Sequence, residues 1–353
     1  MKNNTENNVV HGNIKVAFNC EKYKDAQKKK ILEKYHQDEN SVLYIEVGGK
    51  IINDFHSTRV LPGYRPDLKL ELIKELFPNA DFICCISAKD LDRKRERGDF
   101  ELGYDKEIFR LINELKERNI TVRKIVITRI TKGNESKNVL DFEKTASEFG
   151  FEITKFYEND NYMPSKNIID GLKNNPYVKS NSKQIIVIAP GAGSGKFSVC
   201  LNQIYHEMEN GKIPQYIKIE TFPVFNLPID HLINQAYAAA TADFDDKVMP
   251  DKNSANATSY NRDIDNFELL QFIATLFDEK ISKYLRIYNS PTSMGVNCIK
   301  DGIIDDLTIQ RESAAEICRR FVKCYQDYLN GKTDKETLLN LKKIIIKMTE
   351  NII

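Results

Sequence analysis

Ile185-Ile186-Val187-Ile188-Ala189-Pro190-Gly191-Ala192-Gly193-Ser194-Gly195-Lys196 is an apolar run that empties into glycines and ends on a lysine. A short β-branched run bounded by glycine reads as a buried strand, the glycines as a phosphate-sized loop, and Lys196 as the start of a helix. Gly191, Gly193 and Gly195 let backbone N–H groups converge on one concavity, and a following helix adds the positive end of its dipole. The strict pattern G-x-x-x-x-G-K-[ST] is broken twice. Pro190 replaces its first glycine, and Phe197 replaces the hydroxyl that would ligate Mg²⁺, with Ser198 one place later. A plain strand-to-helix turn is the competing reading.

Outward from this stretch the chain alternates. Val42 to Val47, Asp81 to Ser87, Val122 to Arg129, Phe151 to Tyr157 and Tyr216 to Glu220 read as strands, several of them apolar enough to be buried on both faces. Helical patterns separate them, at Pro66 to Phe77, Asp105 to Arg118, Val139 to Phe149 and Lys196 to Asn210. Asn159 to Ser182 is polar and turn-rich and reads as a long surface connection. This order predicts an α/β fold, a mostly parallel sheet flanked by helices with a P-loop-like glycine turn. Beyond Pro228 the segments Ile229 to Ala242, Asp265 to Tyr284, Thr308 to Leu329 and Asp334 to Met348 carry helical periodicity. The expected division is a disordered tail over 1–13, an α/β domain over 14–228 and a mostly helical domain over 229–353.

Bulk composition narrows the function. The 353 residues carry 52 Lys+Arg against 51 Asp+Glu, a net charge of +1, so no whole-chain basic field draws the protein to nucleic acid or to a membrane surface. No apolar run approaches the ~20 residues a membrane helix needs, and the polar N-terminus lacks a signal-peptide core. Seven cysteines with no C-x-x-C argue against a disulfide framework and a zinc ribbon, and point to a reducing cytoplasm.

The candidate chemistry gathers around the glycines. Gly191, Gly193, Ser194 and Gly195 would hold a phosphate by backbone, Lys196 would meet the terminal phosphates, and Ser198 an inner one. The Gly48-Gly49-Lys50 turn after a strand and the segment Asp54 to Arg59 would line the same cleft. His56 is the candidate general base. With no hydroxyl at position 197, Mg²⁺ would need carboxylates, of which Glu220, Asp243, Asp245 and Asp246 are nearest along the chain. Asn261 and Arg262, in Ser259 to Asp263, mix hydrogen-bonding groups at a helix start, where capping is the simpler explanation. His206-Glu207-Met208-Glu209-Asn210 opens like H-E-x-x-H, but Asn210 stands in the second histidine's place, so zinc is not expected.

Several runs in one order carry a resemblance: Tyr44 to Lys50, Arg59 to Tyr64, Ala189 to Lys196, Leu201 to Glu207, Lys218 to Pro228, Ala238 to Asp243, Tyr260 to Asp263 and Thr292 to Asn297. From about residue 14 onward the chain resembles a bacterial family known only as a domain of unknown function, number eighteen-forty-six. The resemblance implies a longer protein with a further C-terminal α/β domain that this sequence lacks. It also implies that a residue other than Ser/Thr at position 197 is a family trait. Some members carry a label of ATP-dependent zinc protease, which the missing histidine does not support.

Two functions follow as expectations. One is an enzyme that binds a phosphorylated small molecule, a nucleotide such as ATP with or without Mg²⁺, and catalyses phosphoryl transfer or an ATP-driven ligation, with Lys196, His56 and Glu220 as catalytic candidates. The other is a non-catalytic sensor of a phosphorylated metabolite that self-associates through its helical part.

Overall fold

The computed structural model describes residues 15–94, 96–159, 164, 166–242, 247–251 and 258–350. Seven strands, β1 (Ser41–Val47), β2 (Asp81–Ser87), β3 (Lys124–Ile130), β4 (Glu152–Tyr157), β5 (Gln184–Ile188), β6 (Ile213–Ile219) and β7 (Gly295–Val296), form one sheet. Across it the order is β7-β6-β1-β5-β2-β3-β4, and every pairing is parallel. The last strand comes from beyond residue 228, so the α/β sheet and the helical part share their hydrogen-bonded frame.

The apolar strands are buried on both faces because helices cover both. Leu43, Ile45, Ile186, Ile217 and Ile219 belong to one core with helices Leu68–Leu76, Tyr104–Glu117 and Asp306–Leu329. Val42, Tyr44, Ile185, Val187 and Tyr216 belong to the other, against helices Lys196–Glu209 and Asn261–Thr275. Alternate residues of one strand thus feed opposite cores, the period-two geometry of a strand. The surface connection expected over Asn159 to Ser182 contains a helix, Lys166–Asn174. Gly171 weakens its helical signal, but Ile168 and Leu172, one turn apart, are both buried and tie it to the second core.

Chain order decides where a ligand can sit. From β1 the chain runs to β2, passing the position that β5 fills later; from β5 it runs back past β1 to β6. Connections that leave neighbouring parallel strands in opposite directions open a crevice at the strands' carboxyl ends. The glycine loop lies at this edge, between β5 and helix Lys196–Glu209.

Two of its glycines are demanded by packing. Gly195 has φ +80°, and a Cβ there would lie 2.6 Å from Thr128 Oγ1; a Cβ on Gly191 would lie 2.2 Å from the Tyr104 hydroxyl. Gly195→Ala should therefore cost about 2–4 kcal/mol, the sum of a left-handed alanine and an overpacked contact. Urea melts would read this; a loss under about 0.5 kcal/mol would show that the loop relaxes freely. Among the described residues no helix is long and apolar enough to cross a membrane.

Candidate functional site

A cavity of about 380 Å³ runs along the carboxyl edge of the sheet. It is reached from β1 by Glu46, Gly48 and Gly49, from the glycine loop by Ala192 to Lys196, and from β6 by Lys218 and Glu220. Arg262 and Asp263, in the first turn of helix Asn261–Thr275, complete the charged end.

The charged end is a buried network. Lys218 Nζ is 2.6 Å from Asp263 Oδ1 and also contacts Glu220 Oε1, so one ammonium lies between two carboxylates. Tyr216 OH donates to Glu46 Oε2 at 2.7 Å, fixing a third carboxylate on the neighbouring strand. Burial acts against the charge on Lys218, but Asp263 and Glu220 outweigh it and hold its pKa above the ordinary value. Burial also pushes Glu220 up to about 7, helped by Asp263 and opposed by Lys218. One lysine cannot neutralise the pair fully. Raised to about 7, Glu220 is poised to exchange a proton near neutrality.

Lys196 is also buried, and its Nζ donates to the carbonyl of Gly191 at 3.2 Å. Burial lowers its pKa, with Glu46 pulling the other way. Ser194 Oγ turns onto the same Gly191 carbonyl at 3.3 Å, and Thr128 Oγ1 donates to the Ser194 carbonyl at 2.9 Å. The loop is thus braced from β3. Phe197 packs edge-on against Tyr216, ring centroids 5.6 Å apart.

Of the residues expected at this site, Gly48, Gly49, Gly193, Ser194, Gly195, Lys196, Ser198, Glu220 and Arg262 line one cavity. Gly191 lies behind the loop, accepting its internal hydrogen bonds. Asn261 exchanges hydrogen bonds with the Lys247 backbone instead. Asp243, Asp245 and Asp246 fall outside the described residues. Glu220 is the metal candidate that can be placed, and its carboxylate meets the ammonium of Lys218.

Lys50, Arg59 and His56 gather at a second cluster. Asp54 caps a helix, Phe55–Val60, that carries His56 and Arg59. Lys50 pairs with Asp99, which Arg59 Nη1 also approaches at 3.4 Å. His56 Nδ1 is 3.2 Å from Glu316 Oε1, and Arg59 Nε is 3.0 Å from Glu316 Oε2. Glu316 comes from helix Asp306–Leu329 and takes a further ion pair from Arg319. The His56 ring lies edge-on to Phe222, at 5.3 Å, and to Tyr237, at 5.7 Å, both of which line the cavity. His56 therefore stands behind the cavity wall. His206, from the incomplete protease-like motif, donates from Nε2 to the Asn175 carbonyl at 2.9 Å. Among the described residues no group of three or more His, Cys, Asp or Glu is arranged to hold a metal.

The sequence reading missed Lys218 as the centre of the charged network and Glu316 as the partner of His56. Lys218 carried one available signal, a basic residue in an otherwise apolar strand two places before Glu220. Glu316 carried none, because 260 residues separate it from His56.

Comparison with known proteins finds relatives over nearly the whole chain. The family model described as "Domain of unknown function DUF1846, N-terminal" matches residues 16–349. The chain is 40% identical over 332 residues to the UPF0371 protein FN1121 of Fusobacterium nucleatum, covering 92% of this chain and 64% of that protein. It is 40% identical over 340 residues to a UPF0371 protein of Clostridium tetani, covering 94% and 66%. With a Clostridium botulinum UPF0371 protein the identity is 39%, again over 94% and 66%. The chain thus spans about two thirds of the length of these relatives, at 64% and 66%. A match over nearly the whole chain makes the protein a member of the DUF1846 family, whose function is uncharacterised.

Proposed function

We propose that the carboxyl-edge cavity binds a phosphorylated small molecule, a nucleotide such as ATP, and that the protein catalyses phosphoryl transfer or an ATP-driven ligation. The observation that carries this reading is the meeting of the glycine loop and Lys196 with the Lys218–Glu220–Asp263 network in one cavity. A phosphate on the loop would draw Lys196 Nζ away from the Gly191 carbonyl and restore the charge that burial disfavours. In the transfer step the bond between the terminal phosphorus and its bridging oxygen breaks as a bond to the acceptor oxygen forms. Glu220, with a pKa of about 7, accepts the acceptor's proton. Catalysis would come from positioning and charge, and no step is assigned to a metal.

A second reading, a phosphometabolite sensor without turnover, is favoured by Phe197, packed on Tyr216 and replacing the metal-binding hydroxyl of the strict sequence pattern. Calorimetric titration with ATP and with inorganic pyrophosphate tests the binding common to both. Wild type should bind, and Lys196→Ala should lose at least about tenfold in affinity, as expected for one charge-assisted contact. Equal affinity of the two proteins would overturn the assignment of the loop. ADP or pyrophosphate release in the presence of candidate acceptors separates enzyme from sensor.

A further inference from the structure

Opposite the charged network, the cavity wall is made by the end of β3, and there the backbone is irregular. The pairing of β3 with β4 shifts register between Ile127 and Ile130. Within that shift Arg129 adopts φ +56°, a left-handed conformation that costs a side-chain-bearing residue energy and that glycine would adopt freely. Bulges of this kind re-aim a side chain, and strained residues persist where the surroundings hold them for a purpose.

Arg129 is exposed and lines the cavity, and its side chain makes no hydrogen bond or ion pair with any described residue. Its neighbours differ. Lys89 on the same wall is paired with Glu158, Lys218 with Asp263, and Lys196 rests on its own loop. The adjacent Thr128 holds the Ser194 carbonyl of the glycine loop, so the strained segment is braced directly against the phosphate-sized turn.

From these observations we infer that Arg129 is the anion clamp of the cavity, its guanidinium closing on the phosphate chain of a ligand from the β3 side while Lys196 meets it from the loop. The planar fork suits bidentate pairing with phosphate oxygens, which a flexible ammonium does not reproduce. Beyond Arg129 the wall turns apolar, with Phe156 and Leu172 lining the cavity, a surface fit for a nucleobase face. The ligand class is therefore a nucleoside di- or triphosphate, its base on the β4 side and its phosphates between Arg129 and Lys196. This inference rests on the phosphate-ligand reading above and adds a residue and an orientation to it.

Calorimetry with ATP, inorganic pyrophosphate and adenosine on wild type, Arg129→Gly and Arg129→Lys tests it. Arg129→Gly should weaken ATP and pyrophosphate by roughly 10- to 100-fold, the loss expected for a bidentate charged contact. Adenosine binding should be unchanged, and the variant should melt at or above the wild-type temperature because the strain is relieved. Arg129→Lys should recover only part of the affinity. Wild type and Arg129→Gly binding ATP equally, with Lys196→Ala impaired, would overturn the clamp and leave the phosphate site standing. A wild type that binds neither ATP nor pyrophosphate would overturn both. A lower melting temperature with adenosine binding lost as well would assign Arg129 a structural role and also overturn the clamp.

Discussion

Replacing Lys218 with methionine is expected to destabilise the protein by about 3–5 kcal/mol near pH 8, the range for removing one partner of a buried ion pair. The reason lies in what stays behind. Asp263 and Glu220 are both buried, and without the ammonium that contacts both they are left as uncompensated carboxylates beside Glu46 in one cavity. The pH dependence has a definite sign. In the wild type Glu220 is raised from its ordinary 4.5 to about 7, so between those values the folded state holds more protons than the unfolded chain. Stability attributable to this group is therefore fully present below about pH 4.5 and declines as pH rises towards 7. Losing Lys218 removes the charge that holds Glu220 down and raises it further, so the variant's deficit should be largest in alkali and should shrink as pH falls. Denaturant melts at several pH values would read this. Asp263→Asn on the Lys218→Met background should restore part of the loss, whereas a deficit that is flat with pH and insensitive to Asp263→Asn would assign the effect to packing.

Glu316→Ala should be the second large loss, about 2–4 kcal/mol, with the opposite pH signature. Glu316 is a buried carboxylate serving His56, Arg59 and Arg319 at once. Burial works against its charge, but these three partners outweigh it and hold its pKa well below the carboxylate range. Its stabilisation is therefore present above the unfolded-state value and lost only in strong acid. His56 is lowered from 6.5 by burial, against the pull of Glu316. Below pH 6.5 the unfolded chain gains a proton that the folded His56 resists, so stability falls as pH falls. Removing Glu316 lowers His56 further, and the variant's deficit should widen from pH 7 towards pH 5. Thermal melts across that window check it; a deficit that narrows in acid would contradict the assignment. The same cluster joins helix Phe55–Val60 to helix Asp306–Leu329, so this variant should loosen the contact between the N-terminal α/β part and the helical part.

The fold was legible where short-range patterning decides it. The runs at Val42, Asp81, Ile125 and Ile185 are apolar because both faces of the sheet are covered, and alternation with helical periods is what a parallel sheet requires. The strand at Gly295–Val296 was not legible, since two residues carry no period, and helix Lys166–Asn174 was hidden by its glycine and asparagines. At the site, the glycines and Lys196 stood out by type and spacing, yet two of those glycines answer first to Tyr104 and Thr128. Glu220 was visible as a carboxylate at a strand's end, but its raised pKa comes first from burial, with Asp263 adding to it from helix Asn261–Thr275. Arg129 read as the last residue of a strand, because a bulge and a left-handed φ leave no mark in the sequence when the residue is not glycine.

The central claim is that the glycine loop and the charged network serve one phosphorylated ligand. A crystal of the wild-type protein grown or soaked with inorganic pyrophosphate tests it most directly. The expected result is tetrahedral density within hydrogen-bonding distance of the backbone N–H groups of Gly193 to Lys196, with Lys196 Nζ moved from the Gly191 carbonyl onto a phosphate oxygen. Pyrophosphate bound elsewhere on the molecule, or a loop unchanged at saturating concentration with Lys196 still on Gly191, would contradict it.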